Sequence, residues 1–188
     1  MNNLARFPTR LVSIAALTLA QAADCTAGPQ IPSTLAVDVN ELHAMTVAAQ
    51  GSQVYECRVA DDDRAGWVFV EPDAELFDAF GRHVGHHGAG PHWQAVDGSR
   101  IDGRLLARAD TPAAGAIPWL LLETRSTGGP GVFEGVTHVQ RIHTVGGSAP
   151  VTPCTRDANG MVVHIAYRAD YRLFAPRAHR APVHALHH

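Results

Sequence analysis

The chain has 188 residues, about one domain's worth, and its 46% hydrophobic against 18% charged residues is a globular balance that excludes a disordered or fibrous protein. All 15 basic residues are Arg, which excludes Schiff-base lysines, pyridoxal-phosphate anchoring and the P-loop lysine. A formal charge of -3 without a basic cluster is a poor match to nucleic acid, whose affinity rests on clustered cations releasing counterions.

In chain order, residues 1–22 combine Arg6 and Arg10, an apolar run over 11–20 and Ala20-Gln21-Ala22. Those are the three regions of a secretory signal peptide, with a mature chain starting near Ala23 and a loose segment over 23–32. The run is too short for a bilayer, which takes about 20 apolar residues, and no later segment comes close. An exported protein, periplasmic or extracellular and without a transmembrane segment, is therefore expected. Cys25 raises lipid anchoring, but Asp24 before it is a poor fit to the small residue such a site wants. Removing the signal takes away two Arg and leaves 13 basic against 18 acidic residues, a charge of -5.

The segment 33–174 reads as one all-β domain, a sandwich or flattened barrel of about eight to ten strands, because short apolar runs alternate with Gly, Pro and Asp and no amphipathic helix appears. Strands are predicted over 35–39, 53–60, 66–70, 101–109, 119–124 and 136–144. The cleanest is the alternation Val163, Ile165, Tyr167, Ala169, Tyr171, Leu173. Trp119-Leu120-Leu121-Leu122 is apolar on both faces, as a strand covered on both sides must be. Residues 74–80, after Pro72, are read as strand and turn, with one helical turn as the alternative. Asp61-Asp62-Asp63 is read as a solvated turn, since the other oxygens of a calcium loop are missing. Residues 77–85 and 96–103 each place Asp and Gly between segments that can extend, and are read as two hairpin turns. From 175 onward the His-rich end has no period and reads as a disordered tail whose His179, His184, His187 and His188 bind divalent metal only weakly.

Cys57 and Cys154 flank patterned strand segments, whereas Cys25 lies in the loose stretch, so an oxidising compartment favours the pair Cys57–Cys154. Closing so long a loop stabilises by about 4 to 5 kcal/mol in the chain-entropy model.

The segments GWVFVEPDAELFD, GRHVGHHGAGPHWQAVDGS, IPWLL, GGPGVFEGVTHVQRIHTVGGSAP and YRADY, in that order, resemble the domain-of-unknown-function family numbered 3455, which occurs in secreted bacterial and fungal proteins. The resemblance spans about residues 31–174. It implies an exported, single-domain, β-rich fold with Cys57 and Cys154 at the recurrent cysteine positions, and no established activity. His87, Gly90, Pro91, Trp93, Asp97, Gly98 and Ser99 match its H-x-x-G-P-x-W-x-x-x-D-G-S stretch, and Trp119, Gln140, Arg141 and Thr144 match its other signatures. Gly88 stands where the family usually has an aromatic, which weakens any stacking role there, and the His-rich extension after Tyr171 is a second departure.

Four histidines, His83, His86, His87 and His92, fall within ten residues and form the candidate Zn or Cu site. His83 and His87 share a face of a strand, and His86 and His92 join them only if the loop 88–91 folds back. The competing reading is an exposed loop of a His-rich protein. Ser99, Ser126 and Ser148 lie outside any G-x-S-x-G elbow, there is no H-E-x-x-H, and Glu71, Asp73, Glu75 and Asp78 offer no defined acid pair. Trp93, beside a Gly-Pro loop, is either a ligand contact or a core plug; Trp67 is a further candidate face and Trp119 belongs to the core. Gln140 and Arg141 are candidates for ligand hydrogen bonds, against the alternative that Arg141 pairs with Asp170.

Three functions follow. The leading one is a small-ligand or glycan-binding module using His87, Trp93, Asp97, Gln140 and Arg141, with no cofactor. The alternatives are a Zn- or Cu-dependent enzyme centred on His87 and a structural or surface-interaction protein with no active site.

Overall fold

The computed structural model describes residues 29–177. The expected signal peptide, Cys25 and the tail histidines lie outside the described residues. Eight antiparallel strands, β1 (Glu41–Val59), β2 (Ala65–Phe77), β3 (His83–Gly88), β4 (His92–Ala95), β5 (Arg100–Ala109), β6 (Trp119–Ser126), β7 (His138–Gly146) and β8 (Val162–Pro176), follow one another around a closed barrel. Each strand pairs with its sequence neighbour, and β8 returns to β1 along a ladder that runs from Glu41–Pro176 to Glu56–Val162. Of the two all-β architectures the sequence allows, this is the barrel. Closure pairs every strand with a neighbour on each side along at least part of its length.

The alternation read in β8 has a direct structural meaning. Tyr167, Ala169, Tyr171 and Leu173 all point inward, where they meet Val47, Ala49, Ala74, Leu76, Trp93 and Val139. The inward residues of β1 shrink along the strand from Val47 through Ala49 to Gly51, and Gly51 is required there: a Cβ would stand 2.1 Å from the Asp73 carbonyl oxygen and 2.5 Å from the Ala74 Cα. That small-residue pattern is why the first half of β1, from Glu41 to Ser52, escapes a search for apolar alternation.

Residues 35–39 are not the expected strand. Pro32 opens a 3-10 turn at Ser33–Leu35, and Leu35 packs on the outside of the barrel against Trp119, Leu121 and Ile142. This outer cluster explains why β6 is apolar on both faces: Trp119 and Leu121 lie beneath the N-terminal segment while Leu120 and Leu122 face the interior. Gln140 is on the outer face too, donating from Nε2 to the Leu35 carbonyl at 2.6 Å. Nor do residues 74–80 form a helical turn; β2 runs as far as Phe77 and a turn follows.

The two ends are closed differently. At the lower end, Phe133 and Val136 of the β6–β7 connection enter the interior core. Asp97 holds this plug: its Oδ1 accepts from the Ser99 N–H (2.9 Å) and hydroxyl (2.6 Å), and its Oδ2 accepts from the Val132 N–H (2.8 Å). Fully buried Ser99 in turn accepts from the Phe133 N–H at 3.2 Å. At the upper end the disulfide Cys57–Cys154 ties β1 to the β7–β8 connection across 97 positions of sequence, and the Tyr55 hydroxyl donates to the Gly147 carbonyl at 2.7 Å. Asp61, Asp62 and Asp63 occupy the exposed β1–β2 turn, as expected.

Candidate functional site

The wall of the barrel is low on one side. β3 has 6 residues and β4 has 4, while β2 has 13 and β5 has 10. β3 reaches β2 only over 74–77, and β4 reaches β5 only over 100–102. Above the β3–β4 turn, the upper parts of β2 and β5 therefore have no strand between them. Phe69 and Val70 on one side and Leu105 and Leu106 on the other are 48%, 43%, 52% and 44% exposed. A cavity of about 260 Å³ lies at this gap, bounded by Phe69, Val70 and Pro72 of β2, Gly90 and Pro91 of the turn, and the interior side chains Leu120, Leu122, His87, Trp93, Arg141 and Tyr171.

The inner wall is an aromatic assembly. His87 and Trp93 are cross-strand partners on β3 and β4, with their rings stacked at 4.6 Å and 11°. Tyr171 meets both rings edge-on, at 4.9 Å from His87 and 5.4 Å from Trp93. Such pairs add about 0.5–1.5 kcal/mol beyond the area they bury, so the wall is rigid before any ligand arrives. The far side of the indole rests on Gly103, where a Cβ would stand 2.8 Å from the ring. The Trp93 indole N–H has no acceptor among the described residues.

His87 is neutral here. Burial, the largest cause, pushes its pKa down to about 3; the hydrogen bond to the His92 carbonyl opposes this, while the charges of Arg141, His92 and His86 add to it. Nδ1 lies 2.8 Å from the His92 carbonyl oxygen, so it carries the proton. Nε2 is then an acceptor.

Arg141 supplies the cavity's positive charge. Its Nε and Nη2 donate to the Pro118 carbonyl at 3.1 and 2.9 Å, and no carboxylate lies within 4 Å of it among the described residues. The expected pair with Asp170 is absent for a geometric reason. Arg141 is the ladder partner of Tyr171 and faces inward, whereas Asp170 stands beside Ile142 and bonds His143 Nδ1 at 2.8 Å. Burial raises the Tyr171 hydroxyl above its usual range, and the Arg141 charge opposes the shift.

The structure thus brings His87, Trp93 and Arg141 of the sequence candidates together and separates Asp97, in the lower plug, and Gln140, on the outer face. The histidine cluster is divided as well. An irregularity between Leu76 and Phe77 turns His83 outward, so that it pairs with Glu75 instead of sharing the His87 face. His86 bonds Asp73 at 3.0 Å on the same exterior, and His92 Nδ1 donates to the Ala89 carbonyl at 2.6 Å. The described residues contain no group of three or more His, Cys, Asp or Glu arranged to hold a metal ion. Trp67 lies at the upper end, donating to the Thr152 carbonyl at 2.8 Å.

Sequence reasoning placed Tyr171 on the inward face of β8 without reading it as part of a site, and it missed Pro72, Leu120 and Leu122. Two large tyrosines alternating along one inward face, with Arg141 inward on the neighbouring strand, were the available signal. Among the described residues no helix is long and apolar enough to cross a membrane.

Residues 39–175 match the model of a family described as a protein of unknown function, DUF3455. No curated protein and no solved structure matches the chain.

Proposed function

We propose, for a chain that belongs to the DUF3455 family, that it is a binding module for a small, mainly apolar ligand taken into the cavity above the β3–β4 turn. The observation that carries this reading is a rigid wall of His87, Trp93 and Tyr171 beside a gap in the barrel. Eight-stranded barrels have room inside for packed side chains or for one small ligand. Here the lower half is filled by side chains and the upper half keeps a cavity of about 260 Å³. A single aromatic ring with a short substituent fits. The lining favours an apolar body over a glycan, because most of it is Leu, Pro, Phe, Val and Trp, and sugars need polar partners for their hydroxyls.

The exposed Phe69 and Val70 at the rim support the same reading, since they extend the apolar lining outward from the cavity. The test is ligand-dependent stability. With phenylacetamide, a neutral aromatic of suitable size, the unfolding midpoint of the full chain rises with probe concentration, because a ligand that binds only the folded state stabilises it by mass action. Leu120→Trp, which fills the cavity, abolishes the rise. A midpoint that stays constant up to the solubility limit with phenylacetamide and with its acid analogue alike overturns the proposal.

A further inference from the structure

We infer that the cavity's ligand carries a carboxylate that docks on Arg141, an inference that rests on the binding reading above and names its ligand class. Among the described residues that line the cavity, Arg141 is the one cation and there is no acid. The other polar groups there bring no negative charge: His87 is a neutral imidazole, and Tyr171 keeps its proton because burial raises it. A guanidinium beside Leu120, Leu122 and Trp93 thus has no protein counter-ion. Arg141 is half-buried, and a charge so placed gains from a partner because its partial desolvation is otherwise uncompensated.

The geometry of Arg141 fits a planar acid. A guanidinium has five N–H donors in a rigid plane. The Nε hydrogen and one on Nη2 go to the Pro118 carbonyl, which fixes the plane from one edge; of the three that remain, one serves the Tyr171 hydroxyl, and two are left for a partner. A carboxylate accepts two parallel bonds from such a fork, and charge assistance makes them about twice as strong as neutral bonds. Inorganic phosphate or sulfate would satisfy the charge but leave the apolar part of the volume unfilled. A flat body ending in one carboxylate uses both halves of the site, with its ring against the His87–Trp93–Tyr171 wall and its acid on Arg141.

Calorimetric titration of the full chain at constant ionic strength, with phenylacetate, phenylacetamide and inorganic phosphate, tests this. Phenylacetate is expected to bind about 10- to 100-fold tighter than the amide, the range of a charge-assisted hydrogen bond, and phosphate at least that much weaker than phenylacetate. Arg141→Gln should bring the acid down to the amide's affinity, and Arg141→Lys should keep part of the preference. Equal binding of acid and amide by the unmodified chain overturns the carboxylate assignment and leaves the binding reading standing. No binding of either overturns both. Phosphate competing as well as phenylacetate overturns the ligand class, whether or not the Arg141 variants fold.

Discussion

Replacing His87 with Leu should remove most of one proton's worth of acid sensitivity from the barrel. The folded chain holds His87 at about 3, chiefly by burial, whereas in the unfolded chain an imidazole titrates near 6.5. The unfolded state therefore takes up a proton that the folded state refuses. The stability associated with this group is complete above pH 6.5 and is lost as pH falls toward 3. Below pH 6.5 the loss proceeds at about 1.4 kcal/mol per pH unit, so between pH 7.5 and 4.5 it amounts to about 2.5–3 kcal/mol. His87→Leu starts lower at pH 7.5, by about 1–3 kcal/mol, because the His92 carbonyl loses its donor. Its stability should then fall less steeply with acid, and the two curves should converge or cross near pH 4.5. Urea unfolding followed by tryptophan fluorescence at pH 7.5, 6.5, 5.5 and 4.5 measures this as the difference between the two curves. Parallel curves would refute the reasoning, since they would mean that His87 takes up its proton without hindrance in the folded state.

Three further outcomes are expected. Replacing Cys57 and Cys154 together with Ser should cost about 4–5 kcal/mol, given the 97-position loop they close, read as a shift in the urea midpoint that reductant reproduces in the unmodified chain. Gly51→Val should destabilise by more than about 2 kcal/mol, because the new side chain meets the Asp73 carbonyl and Ala74 across the ladder, while Gly66→Ala, with open space at its Cβ, should stay within about 0.5 kcal/mol in thermal unfolding. Asp97→Ala should loosen the lower plug, seen as faster hydrogen exchange at the Val132 and Ser99 amides with the cavity's binding unchanged, since both amides lose their acceptor.

Much of the fold was legible because burial leaves a period of two. The run from Val163 to Leu173 shows it so clearly that its members from Tyr167 onward are those of the barrel core, and Cys57–Cys154 follows from two cysteines beside patterned strands. What stayed hidden has physical causes. The first half of β1 faces inward with Ala49 and Gly51, too small to register as apolar alternation. Residues 33–37 pack as an outer patch on β6 and β7, so their Leu and Val imitate a strand. The site was partly legible: an imidazole, an indole and a guanidinium stood out as chemistry-bearing residues. Which of them converge depends on register. The one-residue irregularity beside Phe77 sends His83 outward, and adjacent positions on β7 send Arg141 inward and Gln140 outward. Asp97 illustrates a different ambiguity, since a carboxylate in a turn reads equally well as a ligand contact or as the clamp of a plug.

The most direct test of the central claim uses the chain's three tryptophans as reporters. Trp93 lines the cavity, Trp119 lies under the N-terminal segment, and Trp67 bonds the Thr152 carbonyl at the upper end. In a proton–nitrogen correlation spectrum of the labelled full chain, their indole N–H signals are well suited to a titration with phenylacetate. The account predicts a saturable shift of the Trp93 signal with Trp67 and Trp119 nearly unmoved. A Trp93 signal that stays in place at saturating probe, or three signals that drift together without saturation, would contradict it.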